Sequence, residues 1–154
     1  MNTPAERLEW AVSRCHDAGL RLTISRRALL GGLALQTAPV TLEQLRQEAG
    51  GVCDFATVYR AIRLFENAGV VRHVGLHQRF ASYVLLAPGE HLDFLVCCDC
   101  GSVSEVEGAQ AVRELEQQIA ARSGFRGLYH ELEFYGTCPG CQQSNSGVPQ
   151  TQSP

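Results

Sequence analysis

Two short cysteine pairs constrain this chain more than any other feature. Cys97-Cys98-Asp99-Cys100-Gly101 and Cys138-Pro139-Gly140-Cys141 are Cys-x-x-Cys knuckles, each placed behind a run of strand-forming residues. Four thiolates in this pattern favour one tetrahedral zinc, because turns carrying glycine or proline let the two sulfurs of a knuckle converge on an ion at about 2.3 Å. The 37 residues between the pairs exceed the spacing of a compact zinc ribbon, so the intervening strands and helix must return the chain. A pair of redox disulfides is the competing reading. A thioredoxin-type site needs its motif to open a helix, and neither motif here reads that way. The expectation is therefore a closed structural Zn²⁺, one per chain, on Cys97, Cys100, Cys138 and Cys141. Cys15, Cys53 and Cys98 are read as buried or incidental.

Seven cysteines suggest metal or redox chemistry in a reducing compartment, and residues 1–7 contain no apolar core of the kind a signal peptide needs, so the expected location is cytoplasmic. The longest apolar run, residues 28–35, includes two glycines and is far shorter than the ~20 residues that span a bilayer, so no membrane partner is expected. The formal charge of −3 hides an asymmetry. Residues 1–80 hold ten basic and seven acidic side chains, whereas residues 81–154 hold three and nine. Every basic residue is arginine, whose fork suits phosphate and guanine, although genome composition alone also yields a lysine-free chain.

Helix signals dominate the first half. Thr3-Pro4-Ala5-Glu6 supplies an N-cap, a proline at the first helical position and a glutamate at the third, and the helix ends near Gly19 with Leu8, Ala11, Val12 and Cys15 on one face. A second apolar helix runs from Thr23 to Gln36 through Gly31-Gly32. A third starts at Thr41 with Gln44 completing a capping box and stops at Gly50-Gly51. Asp54 caps a fourth helix, which Gly69 ends, and the last two form a helix-turn-helix. Phe55, Val58, Ile62 and Phe65 are expected to be its buried stripe. Thr57, Tyr59, Arg60 and Arg63 then share the outer face, which suits either a DNA major groove or simple solvation. Residues 70–74 and 79–85 read as the strands of a hairpin, and hence a wing.

The second half reads as a small α/β unit: strands at 94–97 and 103–106, a helix over 109–122, and a strand at 128–135. The expected fold class is α+β, an N-terminal winged-helix DNA-binding domain (1–86), a hinge (87–89) and a zinc-bearing α/β dimerisation domain (90–141). Residues 142–154, uncharged and rich in Gln, Ser and Pro, are expected to be a disordered tail.

Ala18-Gly19-Leu20-Arg21-Leu22-Thr23, Phe55-Ala56-Thr57-Val58-Tyr59-Arg60, His91-Leu92-Asp93-Phe94 and the two knuckles together resemble the ferric uptake regulator family of metal-dependent DNA-binding repressors. The resemblance spans nearly residues 3–141. It implies a homodimer that pairs through its C-terminal halves and sets two recognition helices on a palindromic double-stranded operator. It also implies that Tyr59 and Arg60 face the major groove, that Arg21 reaches toward the minor groove and that Arg26 lies near the backbone.

The sensing residues depart from the family pattern. Leu92 and Phe94 stand where the resemblance implies ligands of a regulatory site between the domains, and neither binds metal. An alternate set is better kept: His91, Asp93 and His130, with Glu114 as a fourth ligand one residue out of register. Imidazole and carboxylates suit a second Zn²⁺, Fe²⁺ or Mn²⁺; the bland alternative is hydrogen bonding within the domain.

The function expected from this reading is a metal-responsive transcriptional regulator acting as a repressor. Three alternatives stand beside it: a regulator with structural zinc and little dependence on a second metal, a thiol redox switch, and a protein-interaction module. No nucleophile–base pair, phosphate loop or paired-carboxylate site is legible, so no enzymatic activity is expected.

Overall fold

Side-chain caps fix the start of the first four helices. In the computed structural model, which describes residues 3–51, 53–75, 81–88, 92–106, 110–126, 128 and 130–145, α1 (Pro4–Asp17) opens on Thr3 with a full capping box to Glu6. Next, α2 (Ile24–Leu35) opens on Thr23. The short β1 (Val40–Thr41) leads into α3 (Leu42–Glu48), where Thr41 and Gln44 cap each other's backbone N–H groups. Asp54 accepts from the Thr57 N–H at 2.7 Å and starts α4 (Phe55–Asn67). Each cap satisfies donors that a helix start would otherwise leave unpaired.

Two compact units divide the chain, residues 1–91 and 92–154. In the first, Ala11 and Cys15 of α1, Leu29, Leu30 and Leu33 of α2, Leu45 of α3 and Val58, Ile62 and Phe65 of α4 share one core with Val70, Val71 and Leu85. Arg7 is buried among them, and its guanidinium donates to the Ala34 and Gln36 carbonyls at 2.8 and 2.5 Å, closing the end of α2. Strands β2 (Val71–Val74) and β3 (Ser82–Leu85) pair antiparallel, and β1 adds to the far side of β3. The hairpin is thus a three-stranded sheet, and its second strand starts at Ser82 where the sequence suggested 79. Residues 79 and 80 lie outside the described residues.

The second unit has a sheet ordered β5-β4-β6, from β4 (Phe94–Cys97), β5 (Val103–Glu105) and β6 (Glu133–Gly136). Its β4/β5 pair is antiparallel and its β4/β6 pair parallel, with α5 (Gln110–Ser123) as the crossover that parallel strands require. Two expectations fail here. The strand read at 128–135 is limited to Glu133–Gly136, and residues 142–145 belong to α6 (Pro139–Asn145) instead of a disordered tail.

Candidate metal centre and nucleic-acid interface

The cysteine centre is assembled by the parallel strand pair. Cys97 is opposite Gly136 in the β4/β6 register, so the loops after the two strands leave the sheet side by side. The Cys98 N–H donates to the Gly136 carbonyl at 2.8 Å, and the Cys138 N–H donates to Cys97 Sγ at 3.3 Å. The tight turn after Cys97 needs Gly101 at φ +72°, a region that favours glycine. As a result the sulfurs of Cys97, Cys100, Cys138 and Cys141 all lie within 4.8 Å of one another, with Cys100 and Cys138 3.8 Å apart. Sulfurs at 2.3 Å from a tetrahedral zinc stand about 3.8 Å from each other.

Electrostatics agree with a cation. The backbone N–H of Cys100, then that of Cys138, lowers the Cys97 thiol to about 6. Contact with the Cys138 and Cys100 sulfurs pushes Cys141 up to about 12. Four sulfurs this close do not all ionise without a positive charge between them, and an all-thiol donor set suits Zn²⁺. These cysteines fit a structural zinc. One part of the sequence argument needs correcting: the second knuckle does open a helix, since Pro139 is the first residue of α6. The convergence of four sulfurs on one point carries the zinc reading in its place, and pairing within each knuckle does not require it.

A second cluster lies beside β4. Asp93 is only 2% exposed, held by its carbonyl accepting from the Val106 N–H at 2.8 Å. His130 Nε2 is 3.2 and 3.4 Å from the two Asp93 carboxylate oxygens, and its Nδ1 is 2.5 Å from Glu116 Oε2. Burial works to lower the His130 pKa, but the hydrogen bonds to Glu116 and Asp93 outweigh it and hold the imidazole above its ordinary value. Glu114, expected as the fourth ligand, instead accepts from Gln110 at 3.1 Å on an exposed face of α5. Glu116, half a turn further along, is the carboxylate that meets His130, and the sequence reading missed it. His91 lies outside the described residues. Phe94 is buried in β4, and Leu92 is partly buried.

In the first unit, α4 buries Val58, Ala61, Ile62 and Phe65. Phe55, expected in that stripe, is 52% exposed because it is the first residue of the helix and extends past the edge of the core. Thr57, Tyr59, Arg60 and Arg63 line an open groove of about 430 Å³ together with Thr23, Ser25 and Arg26 of the α2 start. Arg26 Nη1 donates to the Arg21 carbonyl at 2.6 Å, which braces the turn carrying Arg21. Arg63 pairs with Glu66 at 3.0 Å. Arginine forks, a phenol and hydroxyls on one helix-lined concavity are the groups that contact phosphates and base edges.

A winged helix with a basic reading face, joined in one chain to a four-cysteine metal centre, defines the class: a DNA-binding metalloregulator. The sequence matches the ferric uptake regulator family over residues 17–135. The ferric uptake regulation protein of Legionella pneumophila is 38% identical over 134 residues, which cover 82% of this chain and 94% of that protein. The solved ferric uptake regulator from Pseudomonas aeruginosa with manganese has a TM-score of 0.65 at 30% identity, covering 82% of this chain and 96% of its own. A zinc uptake regulator complexed with zinc and DNA has a TM-score of 0.55 at 28% identity, covering 95% of this chain and 99% of its own. The chain belongs to the ferric uptake regulator family of metal-responsive transcriptional regulators.

Proposed function

We propose that this chain is a cytoplasmic repressor, with no enzymatic activity of its own, that binds a palindromic operator as a homodimer. The observation that carries the reading is the single groove that gathers Arg26, Thr57, Tyr59, Arg60 and Arg63 on the outer side of α4. In this reading Tyr59, Arg60 and Thr57 face base edges in the major groove, Arg26 and Arg63 contact the backbone, and Arg21 reaches toward the minor groove. Support for the dimer comes from the exposed apolar surface of the second unit. Leu95 (47% exposed) and Phe134 (48%) are register partners on β4 and β6 and line one groove of about 230 Å³, and Leu115 and Ile119 are exposed on α5. A two-fold protein is matched by a two-fold site.

Zinc at the four cysteines supports the dimerisation domain. A second cation, Fe²⁺, Mn²⁺ or Zn²⁺, is proposed at His91, Asp93 and His130. Asp93 is buried with both carboxylate oxygens facing His130 Nε2, at 3.2 and 3.4 Å, a nitrogen–oxygen donor pair that suits a divalent cation. The cation regulates only if it binds the DNA-competent arrangement more tightly than the other.

The test uses zinc-loaded protein to select duplexes from a random pool, followed by anisotropy titrations. A two-fold symmetric sequence should emerge, and Arg60→Ala should weaken it by about 1–3 kcal/mol, roughly 5- to 150-fold. Equal binding by Arg60→Ala would favour the protein-interaction module instead. Thiols that cycle between dithiol and disulfide in zinc-loaded protein would favour the redox switch.

A further inference from the structure

Glu116 is the residue that the second cluster contains and that no ligand reading accounts for. Its carboxylate sits on the Nδ1 side of His130, while Asp93 sits on the Nε2 side, so one imidazole separates the two acids. A carboxylate on Nδ1 cannot share with Nε2 a cation bound at the opposite edge of the ring. The two contacts also differ in kind. The Glu116 contact, at 2.5 Å, is a short charge-assisted hydrogen bond. The Asp93 contacts, at 3.2 Å to Oδ1 and 3.4 Å to Oδ2, are longer, and both are made by Nε2. Nitrogen and oxygen ligands at about 2.0–2.2 Å from one ion lie roughly 3.0–3.4 Å apart, so the wide spacing on this side is that of two ligands sharing a metal.

We infer that Glu116 is an outer-sphere positioning residue: it accepts the Nδ1–H of His130, fixes that tautomer and aims the Nε2 lone pair, beside the Asp93 carboxylate, at a divalent cation. Metal-bound histidines commonly donate their other ring N–H to a carboxylate, which orients the ring and raises its basicity. Here α5 supplies that carboxylate two residues beyond Glu114, which the family pattern suggested one residue out of register with Arg113; the Arg113 guanidinium is turned to Gln110 at 3.1 Å. Glu114 does not serve, since it faces Gln110. The competing arrangement is a cation-free lock in which a protonated His130 bridges the two acids.

The inference rests on the second-cation reading, and one experiment separates the two. Full-length protein with zinc retained at the cysteines is titrated with Co²⁺. Calorimetry gives affinity, visible ligand-field bands report the coordination sphere, and an absence of sulfur-to-cobalt charge transfer confirms that the cysteine site is not replaced. The expected result is one Co²⁺ per chain, abolished in Asp93→Asn. Glu116→Ala should weaken uptake about 10- to 100-fold with unchanged ligand-field bands, and Glu116→Gln, which keeps an acceptor for Nδ1–H, should recover most of the affinity. Altered bands in both Glu116 variants, with no recovery in Glu116→Gln, would make it a direct ligand and overturn the inference. Unchanged or tighter uptake by Glu116→Ala would support the lock and overturn it too. No Co²⁺ uptake by the unsubstituted protein would overturn the second-cation reading itself.

Discussion

Stripping the zinc from the four cysteines should unfold the second unit and leave the first intact. Among its described residues the second unit buries only Phe94, Val96 and Cys97 as apolar side chains, and α5 buries none. Burying three such side chains contributes roughly 4.5–9 kcal/mol at the usual 1.5–3 kcal/mol each. A structural zinc contributes roughly 10–16 kcal/mol to a small domain, so the metal outweighs the core it holds together. The first unit has its own cluster of buried residues from four helices and the wing sheet, with Leu29, Leu30, Leu45, Val58, Ile62 and Phe65 fully enclosed. Hydrogen exchange with mass spectrometry on the full chain, before and after chelation, reads both units at once. Amides of β4, β5, β6 and α5 should lose protection, while those of α1 to α4 keep it. Cys138→Ser should reproduce the pattern without chelator. Protection that persists in β4 and β6 after complete zinc removal would refute the argument, because it would mean that the small core suffices.

Further outcomes follow from local geometry. Gly31→Ala, with open space around the new methyl, should stabilise α2 by about 0.5–1 kcal/mol in thermal melts, whereas Gly32→Ala puts a Cβ 3.2 Å from the buried Leu45 Cδ1 and should lose that gain. Phe65→Ala, at a fully buried position, should cost about 3–5 kcal/mol in urea unfolding, and Thr41→Ala, which removes one half of a capping box, about 1 kcal/mol. For His130 the folded pKa stands above its ordinary 6.5, so its contribution to stability is fully present below that value and lost as pH rises through the raised one. In zinc-loaded protein without a second cation, the melting temperature should therefore fall as pH rises above about 6.5, and His130→Ala should flatten that slope.

The parts of this molecule that were legible in the sequence are those governed by local chemistry. Thr3 with Glu6, Thr41 with Gln44, and Asp54 announce helix starts because a capping side chain reaches only three residues. The two cysteine knuckles were legible because Cys-x-x-Cys spacing is itself a local property, and the fold brings their four sulfurs within 4.8 Å of one another. Phe55 was misplaced because an apolar residue fits the helical period whether or not the core extends under the first turn. The helix over Pro139–Asn145 was missed because Gln, Ser and Asn composition resembles a tail, while the turn that starts it belongs to the cysteine centre. Glu116 was missed for a similar reason. Glu114 and Glu116 are both plausible by count, and only the rotation of α5 decides which meets His130. Two-residue β1 left no periodic signal, since its pairing with Tyr83 and Ser82 is long-range.

Metal control of DNA binding is the central claim, and the affinity of one selected duplex measured at fixed salt tests it most directly. Zinc-loaded protein is titrated onto that duplex without further metal, then with Fe²⁺, Mn²⁺ and Zn²⁺ in turn. At least one cation should tighten binding tenfold or more, equal to about 1.4 kcal/mol of coupling, and Asp93→Asn should abolish the gain. Equal affinity in every metal condition would contradict the account and leave a regulator that zinc shapes and no second metal controls.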